Sequence, residues 1–369
     1  LAEYVNKSMT FYVNGEARES NYFTRLDPFT GSIAKISLER VKRPVAIDVK
    51  LDVKPIQRCE FCDYAKFTPE RRIEHASGAI SVPNKFPWEK YDWITIYPPF
   101  GRHKLLLSDL YFGDLDAMIE SSYDLVAILA KDPEVISIMD FTNWGIFAGA
   151  SQQHPHSQRK SITFKLDTKQ EKELSYCYEI FKSHGKNVFQ WLAEEERKIG
   201  SRIIYDNNVF ISAAFAPSCP NEVIMFPNEE IANILQITDS QQRQEMMRPV
   251  LGIFQALFFY KGITDLNVSI HMAPFAVMEE ARKYFRWHMH IHPRRSWLPV
   301  DKAGAEVGFE TSVIDIMPET TAEILKKWYT EGPEEKEIAK GKDGLPIPKL
   351  VEEFRRLIPE RESVPHGDN

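Results

Sequence analysis

The sequence predicts an α+β protein built from two copies of one small unit whose sheets pair. Three observations lead there. Short β-rich runs bounded by Pro and Gly alternate with longer segments of helical apolar spacing. Each half of the chain runs strand, Pro-containing bend, strand, helix, and then a strand that ends in a histidine cluster. The first cluster is "HPHSQ" and the second is "HMHIHP". The predicted division is 1–175, holding a C-x-x-C and an H-P-H-x-Q, and 176–369, holding the second cluster and a helical tail.

The elements follow in order. "DPFTG" reads as a turn, punctuated by Pro28 and Gly31, and a strand follows it. Residues 45–58 read as loop. "SGAISVPNKFPWEKYDWITIYPPF" holds two β-rich runs broken by Pro83, Pro87 and Pro98. "LSDLYFGDLDAMIESSYDLVAILAKD" has helical spacing with acids at its start. "EVISIMDFTNWGIFAGA" is a strand and a small-residue loop, and "HPHSQRKSITFKL" is extended again. One long helix is predicted from residue 171 through "EKELSYCYEIFKSHGKNVFQWLAEEERKIGSR". Two strands around a Pro-rich bend, a helix, two more strands and a charged helical tail from Pro318 complete the chain.

Bulk properties narrow the function. In 369 residues, 43% apolar and 27% charged content is that of a globular protein with a sizeable core. No apolar run approaches the ~18 residues of a membrane span. The first residues, "LAEYVNKSMT", lack the basic-then-apolar pattern of a secretory signal, so the expected location is cytoplasmic. A net charge of -7 disfavours general nucleic-acid binding but leaves room for a small anionic substrate held by local arginines.

Chemistry concentrates in three places. On an extended strand His154 and His156 share a face, provided that the strand continues through Pro155. In "WHMHIHP", His288, His290 and His292 alternate with Met289 and Ile291, so three imidazoles face one way, and His271 of "SIHMAPF" could join them. Clustered neutral imidazoles suit zinc or iron. "CEFC" offers Cys59 and Cys62 as half of a tetrahedral metal site, with His103 and His154 as candidates for the rest; Cys177 and Cys219 stand alone. A thioredoxin-like redox role is the competing reading, but no β-α-β pattern surrounds this pair. There is no Walker loop, G-x-G-x-x-G or G-x-S-x-G. Phosphate, if bound, needs arginines such as Arg40 and Arg43 of "SLERVKRP", which otherwise read as a surface basic run.

Together these pieces resemble the galactose-1-phosphate uridylyltransferase family, a branch of the histidine-triad superfamily. The segments that carry the resemblance are "RLDPFTGSIAKISLERVKRP", "CEFC", "VPNKFP", "GRHKLLLSDL", "NWGIFAGASQQHPHSQ", "SCPNEVIMFP", "HMAPF", "WHMHIHP" and "GFE", in that order. The resemblance implies two histidine-triad-like halves joined in a mainly antiparallel half-barrel flanked by helices, and a homodimer. It implies a nucleophile at His156, helped by Gln158 and Ser151, and zinc held by Cys59, Cys62, His103 and His154. A second zinc or an iron would take His271, His290 and His292 with a Glu near 171–173. Substrate contacts would come from Asn84, Lys85, Asn143, Gly149 and Glu310, and from Arg40 and Arg43, in the partner's site if the family's arrangement holds.

The implied reaction transfers a nucleoside monophosphate through a nucleotidyl-histidine. The first expectation is a UDP-glucose–hexose-1-phosphate uridylyltransferase. Departures from the pattern touch the substrate: "ASQQ" precedes the first histidine, Ser157 follows the second, and Lys85 follows Asn84 where an acid is usual. The family's hexose-contacting Lys and Gln fall near Gly304 and Ile316. Adenylyl-transferring relatives that use inorganic phosphate tolerate such changes: adenylylsulfate:phosphate adenylyltransferase, ADP-glucose phosphorylase and Ap4A phosphorylase. A non-catalytic zinc protein that binds nucleotides is the alternative of another class.

Overall fold

The computed structural model describes residues 1–7, 11–13, 16–38, 59–67, 72–98, 107, 110–152, 154–164, 168–295 and 304–331. Arg40, Arg43 and His103 lie outside them. The chain opens with β1 (Glu3–Lys7), the small ribbon β2 (Phe11–Val13) and β3 (Glu16–Arg18), then β4 (Asn21–Leu26) and β5 (Ile33–Ile36). Next come α1 (Tyr64–Phe67), β6 (Ile73–Glu74), β7 (Ile80–Pro83), β8 (Asp92–Ile96), α2 (Phe112–Leu129), β9 (Ser137–Trp144) and β10 (His156–Ile162). After α3 (Lys169–His184) and α4 (Val188–Ile199) the same series returns as β11 (Ile203–Asp206), β12 (Val209–Ala213), β13 (Val223–Pro227), α5 (Ser240–Lys261), β14 (Asp265–His271) and β15 (His288–Arg294). A short α6 (Met278–Ala281) lies between β14 and β15, and α7 (Gly304–Phe309), β16 (Ser312–Ile314) and α8 (Pro318–Thr330) follow.

Ten strands form one antiparallel sheet in the order β11-β12-β13-β15-β14-β9-β10-β8-β7-β6. The order reads alike outward from its centre, where β9 pairs with β14: one wing is β9, β10, β8, β7, β6, and the other is β14, β15, β13, β12, β11. A second sheet, β1-β4-β5-β16, is antiparallel except where β16 runs beside β5.

The expected half-barrel is not formed. The large sheet stays open, its end strands β11 and β6 do not pair, and no sheet is closed or strongly curled. Closure needs stagger and bulges. Among the described ladders of this sheet the one register shift falls at Ile203/Tyr205, on the outer strand.

Side-chain alternation gives the sheet two different faces. One face carries Ile138, Val268, Ile270, Met289, Ile291 and Met225, and α2 and α5 seal it into the main core. The other face carries the histidines. Over its C-terminal wing, α3 and α4 cover Phe210, Ile224 and Phe226 with Cys177, Phe189 and Leu192. Over its N-terminal wing there is a smaller cluster of Cys59, Phe61, Ile80, Val82 and Ile96.

Helix ends are set locally. The Thr168 hydroxyl accepts Glu171 N–H at 3.2 Å, while the Glu171 carboxylate accepts Thr168 N–H at 3.3 Å, a reciprocal cap that starts α3. The predicted single long helix is two helices. Gly185 takes φ +66°, closing α3 with its N–H on Phe181 O, and the Asn187 side chain caps α4 through Phe189 and Gln190 N–H. Pro249 sits inside α5 and has no N–H for the Glu245 carbonyl four residues back; Asn208 Nδ2 donates to that carbonyl at 3.1 Å. No helix among the described residues is long and apolar enough to cross a membrane.

Candidate active site and metal centres

The strand does not run through Pro155: β10 begins at His156. Pro155 lends only its carbonyl, which accepts Tyr97 N–H at 3.0 Å. The two histidines therefore have separate partners. His154 Nε2 lies 2.7 Å from the Tyr97 carbonyl, so it carries the proton, and Nδ1 turns its lone pair to Cys62 Sγ at 3.3 Å. His156 Nδ1 lies 2.8 Å from the His154 carbonyl and carries the proton there. Its Nε2 is left as a lone pair with no hydrogen-bond partner among the described residues. Burial pushes the His156 pKa below the ordinary histidine value, and the His154 carbonyl opposes that without reversing it. The ring is neutral near pH 7. Phe61 closes one side of it, edge-on with centroids 5.0 Å apart.

Gln158 stands one step along the same face of β10, half-buried, in register with Phe141 and Ile94. Asn143 of β9 comes from the neighbouring strand, with its Oδ1 accepting from Asn267 Nδ2 at 2.8 Å. Asn267 in turn accepts Arg294 Nε at 2.6 Å and donates to the Ala148 carbonyl at 2.8 Å. This chain and Asp265 hold the loop between β9 and β10: Asp265 Oδ1 accepts Phe147 N–H at 2.9 Å. Gly145 is required there. It takes φ +82°, and a Cβ would sit 2.0 Å from Asp265 Oδ1. Gly149 also has positive φ, and Ser151 is exposed at the end of the same loop.

Asn84 is occupied locally. Its Oδ1 accepts Phe86 N–H at 3.0 Å and its Nδ2 donates to Asp92 Oδ1 at 3.1 Å. Asp92 also takes Trp88 N–H and the buried Lys160 ammonium, which lies over the Trp88 ring. Lys85 pairs with Glu60 at 2.7 Å. Glu310 is exposed, at φ +51°, and stands 3.9 Å from Lys172.

Two donor sets answer the expected metal sites. The first joins Cys59, Cys62 and His154, whose ligand atoms lie within 4.8 Å of one another. The Nδ1 lone pair of His154 faces the thiols because a carbonyl fixes the other nitrogen, which is how ligating imidazoles are usually oriented. The second set is Glu173, His271, His288 and His290. Glu173 Oε2 is 2.5 Å from His271 Nδ1 and 3.1 Å from His288 Nε2, and Oε1 is 3.2 Å from His290 Nε2. His288 Nδ1 donates to the Arg286 carbonyl and His290 Nδ1 to Glu222, so both present Nε2 lone pairs inward. Burial pushes the His271 pKa down to about 4. Burial also works to raise the Glu173 carboxyl, but the surrounding histidines and Lys169 outweigh it and hold it well below the usual carboxylate range. The expected trio of His271, His290 and His292 is corrected here. His288 takes the third place, and His292 turns to Cys219 and Glu222. Strand alternation put all of these imidazoles on one face without saying where α3 brings its carboxylate.

No family model matches the sequence. The chain is 25% identical over 341 residues to an ADP-glucose phosphorylase of Arabidopsis thaliana, covering 82% of this chain and 92% of that protein. It is 22% identical over 338 residues to a galactose-1-phosphate uridylyltransferase of Thermotoga maritima, covering 83% and 98%. The fold agrees with a solved Arabidopsis ADP-glucose phosphorylase with bound ADP-glucose, at a TM-score of 0.70, 21% identity and 82% and 98% coverage. It agrees with a solved uridylyltransferase at a TM-score of 0.63, 22% identity and 84% and 99% coverage. These relatives and solved structures point to the galactose-1-phosphate uridylyltransferase-like, histidine-triad nucleotidyltransferase superfamily. Similarity to these enzymes supports transfer of a nucleotidyl group by way of a histidine.

The sequence signalled His154, His156, Gln158, Asn143 and the cysteine pair, and the fold gathers them on one wing. It gave no signal for Asn267, Arg294 or Asp265, which steady the wing from the other half. It named Cys219 only as a cysteine standing alone, and Glu222 only as part of a quoted segment.

Proposed function

We propose that this chain transfers a nucleoside monophosphate from a nucleoside diphosphate hexose, with His156 Nε2 as the nucleophile. One observation carries the reading: Nδ1–H is committed to the His154 carbonyl, so a neutral ring offers Nε2 as a lone pair on the substrate side. In the first step Nε2 attacks the α-phosphorus, the N–P bond forms, and the bond to the bridging oxygen breaks, releasing a hexose 1-phosphate. In the second step an acceptor phosphate oxygen attacks the same phosphorus and the electron pair returns to Nε2. Through both, Nδ1–H stays on the His154 carbonyl, which stabilises the positive charge that develops on the ring. The Gln158 amide and backbone N–H groups of the 145–151 loop donate to the non-bridging oxygens. Ser151 and Gly149 meet the phosphates, and Asn84, Lys85, Asn143 and Glu310 meet nucleoside and hexose. Arg40 and Arg43 complete the site across a homodimer.

Zinc fits the Cys59, Cys62, His154 set with His103 as the fourth ligand, since two thiolates and two imidazoles make a closed structural site. When bound, zinc holds the segment before β10 in shape. Zinc or iron fits the Glu173 set in the same structural sense.

The first donor and acceptor to test are UDP-glucose and a hexose 1-phosphate. A second reading, adenylyl transfer from ADP-glucose to inorganic phosphate, is favoured by Lys85 after Asn84, where an acid is usual, and by the similarity over 92% of an ADP-glucose phosphorylase. Both are tested by exchange of labelled hexose 1-phosphate into each donor with no acceptor present. Exchange with UDP-glucose supports the first reading, and exchange with ADP-glucose the second. No exchange with either, in zinc-replete protein that matches His156→Ala, leaves a nucleotide-binding zinc protein instead.

A further inference from the structure

His292 belongs to neither donor set just described. Its Nδ1 is 3.6 Å from Glu222 Oε1 and 4.0 Å from Cys219 Sγ, and its Nε2 is 3.3 Å from Ser269 Oγ. All three potential ligand atoms lie within 4.8 Å of one another. Cys219 and Glu222 converge because Asn221 between them takes φ +63°, held by a 3.1 Å hydrogen bond from the Thr321 hydroxyl to its side chain. We propose that Cys219, Glu222 and His292 form a further metal site for a zinc-class divalent ion, adjoining the Glu173 centre through the His290 ring.

The spacing is close to that of a tetrahedral zinc shell, whose Zn–N, Zn–O and Zn–S bonds of about 2.0–2.3 Å set neighbouring ligands roughly 3.3–3.8 Å apart. Ser218 Oγ also lies 3.5 Å from His292 Nδ1. Ser269 Oγ can accept Nε2–H, and in that tautomer the Nδ1 lone pair is left to the thiol and the carboxylate of the proposed site. One thiolate and one carboxylate balance a divalent charge. The thiol proton is released to solvent when the ion binds. Glu222 Oε2 accepts Ser218 N–H at 2.5 Å, so Oε1 is the oxygen turned to His290 and His292. His290 stands between the centres, with Nε2 on Glu173 and Nδ1 on Glu222.

A cation already answers part of this negative charge. Lys169 Nζ lies 3.7 Å from Glu222 Oε1 and 3.6 Å from Glu173 Oε1. Its side chain is 36% exposed at the start of α3, so it can swing to solvent when an ion arrives. Metal and ammonium therefore compete, and that competition gives the site a signature.

The test is zinc per chain by elemental mass analysis after equilibration with excess zinc and gel filtration, with the cobalt(II)–thiolate absorption band as a second readout. Wild type is expected to hold one zinc more than either Cys219→Ser or His292→Asn. Cys219→Ser is also expected to lose part of the cobalt–thiolate band. Lys169→Met is expected to bind this zinc about tenfold tighter, because the competing charge is gone. An unchanged zinc count and band in both ligand variants overturns the proposal. A Lys169→Met protein that binds no tighter overturns it as well, since the ammonium is then not a competitor at that place. Should Cys219→Ser fail to fold, His292→Asn, at a half-buried ring near the end of β15, gives the same count.

Discussion

β10 and β15 hold the same place in the two wings of the sheet, and each begins with a histidine. His156 Nδ1 lies 2.8 Å from the carbonyl two residues back, and His288 Nδ1 lies 2.8 Å from the carbonyl two residues back. The fold prepares one tautomer twice. What differs is the group facing Nε2. On β15 it is the Glu173 carboxylate, brought by α3 and sealed among Phe189 and Phe285. On β10 no described carboxylate reaches it, and the half-buried Gln158 stands alongside. Under the proposed function the second partner, not the strand, assigns an imidazole its work: a carboxylate suits it to be a ligand or an ion-pair member, and an open lone pair suits it to be a nucleophile.

The sharpest way to break the comparison is to exchange fates. His156→Ala should lower kcat by about 10⁴-fold or more, as loss of a nucleophile does, with little change in melting temperature. His288→Ala should do the reverse, lowering stability and metal content while the folded fraction keeps its turnover. Comparable losses of turnover in both would end the distinction. Glu173→Ala comes next. It leaves three buried imidazoles and Lys169 without their shared carboxylate, at a cost of about 3–5 kcal/mol by denaturant titration, yet it should spare chemistry at His156. Gln158→Ala should cost about 10²-fold in kcat with little effect on stability, as expected for one donor to a developing anion.

Much of this contrast could be read in the chain. "HMHIHP" announced β15 because a period of two is explicit in the spelling, whereas "HPHSQ" announced β10 only from His156 onward, since His154 and Pro155 lie outside the strand. The cysteine pair announced half of a metal set. Glu173 could not be placed, since it meets His271 across 98 residues and no local pattern encodes which turn of α3 lies over β14 and β15. For the same reason His292 stood in for His288. Sheet curvature escaped as well, because closure depends on stagger and bulges that strand patterning does not carry. The break at Gly185 was legible in "SHGKN", a glycine two residues ahead of an Asn cap.

The smallest expected effect concerns a histidine outside both strand clusters. His75 lies between Asp124 Oδ2 at 2.8 Å and Ser81 Oγ at 2.7 Å, an arrangement that looks catalytic but has a fully buried serine. Burial lowers the His75 pKa, although Asp124 opposes it. The unfolded chain therefore takes up this proton below about pH 6.5 while the folded one resists, and stability falls as the pH drops below that value. His75→Gln should flatten the dependence of melting temperature on pH between 7 and 5. An unchanged slope would assign it to other groups.

The most direct measurement of the central claim is peptide-level mass mapping of protein quenched after brief mixing with UDP-glucose or ADP-glucose. A nucleoside monophosphate carried on His156, and absent from His288, His290 and His292, is the predicted result. An adduct on the β15 histidines, or none on His156 while turnover proceeds, would contradict the account.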